Sequence, residues 1–183
     1  MPSPPKGQFS IWRDKSRSIL KSGHGELGFY HGVIHNRLLA WNRVGSMVRE
    51  SGGFYEAETN DIKVTVEPFY LEDQSSPSES HFVWAYQVRI ENLGAATVQL
   101  LNRHWQITDA LGRRQEVKGP GVVGEQPVLN PGEHFEYTSG TPLPTPSGIM
   151  VGTYEMETEN GAHFDVQIPA FSLDSPHQPV NLN

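Results

Sequence analysis

From Ile62 onward the chain alternates apolar and polar positions with a period of two, the spacing that lines one face of a β-strand. Ile62, Val64 and Val66 alternate with Lys63, Thr65 and Glu67, which predicts a half-buried strand closed by Pro68. After a polar loop, EDQSSPSES, the apolar positions Phe82, Trp84, Tyr86, Val88 and Ile90 predict a central strand with one core face. Asn92-Leu93-Gly94 turns the chain into the strand VQLLNRHWQITDA, and Ala110-Leu111-Gly112 turns it into a short strand from Arg113 to Lys118. Asn130-Pro131-Gly132 is a turn in which proline presets φ and glycine accepts its positive value. A short strand, Phe135-Glu136-Tyr137, comes next. SGTPLPTPSG is expected to be a loop because its prolines oppose regular structure. Met150, Gly152, Tyr154 and Met156 then pair with Phe164, Val166 and Ile168 across an Asn160-Gly161 hairpin signal. About seven short strands with no amphipathic helix predict an all-β, Ig-like antiparallel sandwich.

The pattern also sets the boundaries. Residues 1–53 show little periodicity beyond one short helical turn around Val33-Ile34, Leu38-Leu39 and Trp41, and read as a poorly structured or partly helical extension. Residues 54–174 form the sandwich, and 175–183 a loose tail. The hydrophobic fraction of 36% in 183 residues suffices for one core, and 18 glycines with 14 prolines fit many turns. There is no cysteine, which removes disulfides, thiolate zinc sites and a cysteine nucleophile, and agrees with a cytoplasmic location. No apolar run approaches the roughly 20 residues that span a bilayer, so membrane insertion is not expected.

Charge is divided unevenly. Residues 1–46 hold seven Lys and Arg against Asp14 and Glu26, a net +5, which leaves −12 for the rest of the −7 total. An acidic body repels phosphate backbones, so nucleic acid is not an expected partner. The basic, acid-poor leader has the composition of a transit peptide, or of an upstream extension with Met47 as a second start; a loosely packed extension is the simpler reading.

Candidate chemistry centres on KGPGVVGEQP, where Gly119, Gly121 and Gly124 have the G-x-G-x-x-G spacing of a dinucleotide fingerprint. That fingerprint needs a helix after it, and Pro127 and Asn130-Pro131-Gly132 exclude one. The glycines then serve a strand-to-strand connection, or their amides, with Lys118 and Arg103, form an anion nest. Arg103 shares a face with Leu101, Trp105 and Ile107 by alternation, so either it pairs with a buried carboxylate or a bulge turns it out. Trp84 and Trp105 are expected in the core, and Ser139 and Thr108-Asp109 as turn and edge caps, since no G-x-S-x-G elbow is present. His31-x-x-x-His35 has helical cation-site spacing without a third ligand nearby. His104, His134 and His163 fall on different strands, in no known ligand pattern, so no metal or cofactor is expected.

The segments RHW-ITD, GPGVVGEQP and PGEHFEYTSG, flanked by YLEDQSSP, PSGIMVGTYEM and IPAFSL, closely resemble the ApaG family over about residues 55–173. That resemblance implies a fibronectin-type-III-like sandwich and a bacterial protein linked genetically to cobalt and magnesium tolerance, with no established enzymatic activity. It also implies a protein-binding module, because the same domain occurs in eukaryotic F-box proteins and a polymerase-delta-interacting protein. The expected function is non-enzymatic binding of a protein or effector through loops and sheet edges, with homodimerisation as a further option. The alternative is a small-anion binder (phosphate, pyrophosphate or nucleotide) using Gly119 to Gly124.

Overall fold

The computed structural model describes residues 53–178. Nine strands follow in order: β1 (Tyr55–Thr59), β2 (Ile62–Tyr70), β3 (Phe82–Asn92), β4 (Val98–Asp109), β5 (Arg114–Pro120), β6 (Val128–Leu129), β7 (His134–Leu143), β8 (Ser147–Thr158) and β9 (His163–Asp174). One antiparallel sheet has the order β1-β2-β3-β7. The other has the order β5-β4-β8-β9, and β6 pairs with β4 at Val98 and Gln99. The sheets are tied along one side, where Tyr55 Oη meets Ser172 Oγ at 2.8 Å and the Gln167 amide donates to Thr59 Oγ1 at 3.2 Å. Along the other side, β5 and β7 have no strand on their outer edges among the described residues.

The predicted all-β sandwich is present, and the central strand is β3, whose five alternating apolar residues are all buried. Several boundaries differ from the sequence expectation. β1 was not expected; it reaches β2 through a two-residue turn in which Asn60 and Asp61 both take positive φ, 50° and 60°, the twist that suits a tight hairpin. β2 continues through Pro68 to Tyr70. Pro68 lies past the last residue that β1 pairs, at the kind of edge position that tolerates a missing amide. Residues 139–143, expected as loop, are the second half of β7: an edge strand needs hydrogen bonds on one side only, so Pro142 fits opposite Val83. The start of the tail is docked, since Ser175 is buried and donates to Pro146 O at 3.0 Å. His177 Nε2 lies 3.0 Å from Glu72 Oε1.

The centre of the core is Trp105 on β4, 1% exposed. Its ring meets Tyr86 of the facing sheet and Tyr154 and Phe171 of its own, with centroids 5.6, 6.4 and 6.0 Å away in edge-on contacts. Opposite Trp105 on β8 stands Gly152, where a Cβ would lie 2.3 Å from His104 O and 3.0 Å from the Trp105 ring. Only glycine lets the two backbones and the indole approach this closely. Two irregularities adjust the strands around this centre. β4 carries one extra residue at Leu101 relative to β8, and β9 carries one at Pro169-Ala170, where proline costs no ladder bond.

Gly152→Ala should cost about 2 to 4 kcal/mol, because the added methyl meets backbone rather than a movable side chain. Urea unfolding monitored by tryptophan fluorescence measures it; an unchanged midpoint would show that β4 and β8 are not held at this distance.

Candidate functional site

The glycine loop fills the gap made by the Leu101 bulge. Leu101 O, turned out of the β4–β8 ladder, accepts the Gly121 amide at 2.8 Å and Gln126 Nε2 at 2.8 Å, and Pro127 O accepts the Leu100 amide at 3.0 Å. The loop tip is a two-residue turn closed by reciprocal bonds between Val122 and Glu125, 2.8 and 2.9 Å. Its central residues, Val123 and Gly124, have φ of 45° and 85°. A β-branched residue at positive φ is strained, by roughly 1–3 kcal/mol. Val122, fully buried, and Val123, packed against the core, offset that strain. Gly121, at φ 58°, has a second requirement, since a Cβ there would lie 2.1 Å from Glu125 O.

Arg103 braces this loop from beneath. The bulge brings Val98 and Leu100 inward before it and Trp105 and Ile107 inward after it, leaving Leu101 half-buried and Arg103 on the inner side where the sandwich opens. Arg103 therefore does not turn out; it reaches backbone carbonyls of the loop. Its Nη1 donates to Pro120 O at 2.9 Å and Gly121 O at 2.7 Å, and its guanidinium lies against Gly119. Behind it stand three buried phenols. Tyr137 and Tyr154 share a hydrogen bond, and Tyr86 shares one with Ser139. Burial pushes the Tyr86 hydroxyl up to about 12 and raises Tyr137 and Tyr154 as well, while the Arg103 charge draws each back.

The structure thus gathers Arg103, Gly119 and Gly121, and leaves Gly124 exposed at the tip. It does not add Lys118 to them: Lys118 pairs with His104 on the opposite face of the sheet and reaches Glu116 Oε2 at 3.6 Å. The amides of Gly121, Val122 and Glu125 are spent on carbonyls, whereas those of Val123 and Gly124 have no acceptor among the described residues. His104, His134 and His163 do not converge. His104 faces Glu116 at 3.1 Å, His134 lies 4.0 Å from Glu136, and His163 contacts Glu155 at 2.9 Å, whose hydrogen bond raises its pKa. Among the described residues no three His, Asp or Glu side chains group as a metal site. His31 and His35 lie outside those residues.

Two features escaped sequence reasoning. Asn92, read only as a turn residue, is a buried hub: Nδ2 donates to Ala96 O and Leu129 O, and Oδ1 accepts the Gly94 amide, so one side chain ties the β3–β4 turn to β6. At the opposite end of the sandwich a cleft of about 390 Å³ lies between the start of β5 and the end of β7. Its wall is built on Asp109, whose carboxylate accepts the Leu111 and Arg113 amides at 2.9 and 3.0 Å and Arg113 Nε at 2.6 Å. The pattern Asp-x-x-Gly-Arg was legible as a capped turn, which is what Asp109 makes. Burial would raise its pKa, but the bonds from Arg113 and Leu111 outweigh that and hold it low.

A two-sheet antiparallel sandwich with a braced loop at one end defines a small immunoglobulin-like, fibronectin-type-III-like domain. A family model described as the ApaG domain matches residues 72–158. Protein ApaG of Paramagnetospirillum magneticum is 74% identical over 129 residues, 70% of this chain and 99% of its own length. Protein ApaG of Rhodospirillum centenum is 71% identical over 123 residues, 67% of this chain and 95% of its own. A crystal structure of a Bordetella pertussis protein described as ApaA superposes with a TM-score of 0.63 at 54% identity, covering 64% of this chain and 96% of that one. The chain belongs to the ApaG family.

Two outcomes follow from this geometry. Gly121→Ala should destabilise by about 2 to 4 kcal/mol, against about 1 kcal/mol for Gly124→Ala, which meets only the φ penalty; equal thermal shifts would show that the loop backbone is not pinned. Asp109→Asn should lower the midpoint of thermal unfolding at pH 7. Since the folded pKa is depressed, the carboxylate's contribution is present above the unfolded value near 4 and is lost as pH falls through the folded one. The gap between wild type and variant should therefore close in acid, and a gap constant from pH 7 to pH 2 would contradict the charged cap.

Proposed function

We propose that the chain is a non-enzymatic binding module whose partner is another protein, engaged through the glycine loop and the adjoining edge of the second sheet. The observation that carries this reading is the turn at Val123-Gly124, kept in a strained left-handed conformation by core packing, the captured Leu101 carbonyl and Arg103. Backbone strain that the surroundings over-determine is a feature of binding loops. A rigid loop also forfeits little entropy on binding. Its outer surface, Gly124 to Gln126 with Val128 half-exposed beside it, joins a polar rim to one apolar contact. In this reading the protein is cytoplasmic, and any link to cobalt and magnesium tolerance runs through the partner rather than through an ion held by the sandwich. No helix among the described residues is long and apolar enough to cross a membrane.

A second reading, a small anion held at the loop, is favoured by one observation: the Val123 and Gly124 amides have no acceptor among the described residues. The module reading expects no heat when millimolar pyrophosphate is titrated into the protein by calorimetry; saturable heat lost in a Gly124→Pro variant would establish the anion instead. For the partner, affinity capture at matched expression should recover a protein with wild type that is lost with Glu125→Lys/Val128→Asp, two solvent-facing changes. Identical recovery by both forms would remove the loop from the binding surface.

A further inference from the structure

The cleft at the far end of the sandwich has a composition unlike the rest of the surface. Its floor is apolar, made by Ile107, Pro142 and Leu143, and its rim carries Arg113, Arg114 and His81. The Asp109 carboxylate in the wall is saturated by Arg113 and two amides, so it does not neutralise Arg114. The Arg114 side chain has no hydrogen-bond or ion-pair partner among the described residues, its backbone being paired with Thr108 of β4. This unopposed charge stands out on a chain whose residues beyond 46 sum to −12. Lys63, Arg89 and Lys118, by contrast, are each held by a glutamate.

We propose that this cleft is a second binding site, taking an extended acidic peptide of a partner protein with an aliphatic side chain in the floor and a neighbouring carboxylate on Arg114. Shape, charge and edge support the same occupant. The volume falls in the range of ligand sites, roughly 300–1,000 Å³, and a site with an apolar floor and few polar groups orients its ligand by those groups. A carboxylate repelled by the acidic body meets an arginine fork suited to planar oxyanions. β5 begins at Arg114 and has no strand on its outer side among the described residues, so an incoming chain can add there as a strand, with alternate side chains entering the cleft. Leu111, 73% exposed at the tip of the adjoining turn, extends the apolar contact. This site lies at the opposite end of β5 from the glycine loop; both readings use the edge of that strand, but the side chains they invoke are different.

The test is titration of the isotope-labelled full chain with the peptide acetyl-Thr-Val-Glu-Leu-Val-Glu-amide, followed by amide chemical shifts. Shifts should be confined to residues around His81, Ile107, Arg113 to Gln115 and Leu143. Affinity should fall about tenfold when glutamine replaces both peptide glutamates, and by a similar factor in Arg114→Gln, whose exposed side chain leaves the fold intact. The Glu125→Lys/Val128→Asp protein should bind as wild type does, which separates this site from the loop reading. Absence of shifts at millimolar peptide, shifts scattered elsewhere, or equal binding of the glutamine peptide would overturn the proposal. So would undiminished affinity in Arg114→Gln.

Discussion

Trp105 can sit between the two sheets only because the residue beside it on β8 has no side chain. A Gly152 Cβ would press on the His104 carbonyl and the edge of the indole together, and without it the indole meets aromatic edges from both sheets. Removing a buried Trp typically costs about 3 to 5 kcal/mol, a large share of the stability of a domain this size. The pairing of a large residue with a glycine also fixes the register of β4 against β8, since a slip of one residue would move the indole to the solvent face.

That register has a consequence at the surface. Holding Trp105 inward while Val98 and Leu100 also point inward requires one residue too many in β4, and the surplus appears as the bulge at Leu101. A bulge leaves a carbonyl out of the ladder, and a buried or half-buried carbonyl needs a donor. The glycine loop supplies two, from Gly121 and Gln126. The loop is thus packed as part of the fold, and only its tip is offered outward. Arg103 follows the same logic. Displaced to the mouth of the sandwich, it satisfies the carbonyls of Pro120 and Gly121 and moderates the raised phenols behind it.

The two ends of the molecule are therefore built differently. One end is a tightly tied set of loops in which Asn92 and Arg103 bind backbone carbonyls, and the tip amides of Val123 and Gly124 are left without an acceptor among the described residues. The other end has an open space between the edge strands β5 and β7, bordered by Arg114, whose side chain has no partner among the described residues. The sheets are joined along one side, and along the other β5 and β7 are edge strands among the described residues, which leaves the space beside the start of β5 and the end of β7 open.

Alternation alone determined the all-β class, the central strand β3, the apolar faces of β2, β8 and β9 and the turns at Asn92, Asn130 and Asn160, since each depends on residues within one or two strand lengths. The failure of the dinucleotide reading was equally local, because prolines after Gly124 forbid the helix it needs. What the sequence did not decide was anything resting on a neighbour far along the chain. Pro142 looked like loop because nothing in the sequence says that β7 is an edge. Arg103 looked as though it needed either a carboxylate or a bulge that turned it out, because the two carbonyls it reaches, 17 and 18 residues away, were out of view. Lys118 and Arg103, close in pattern, fall on opposite faces because strand pairing, not spacing, sets which side a residue takes.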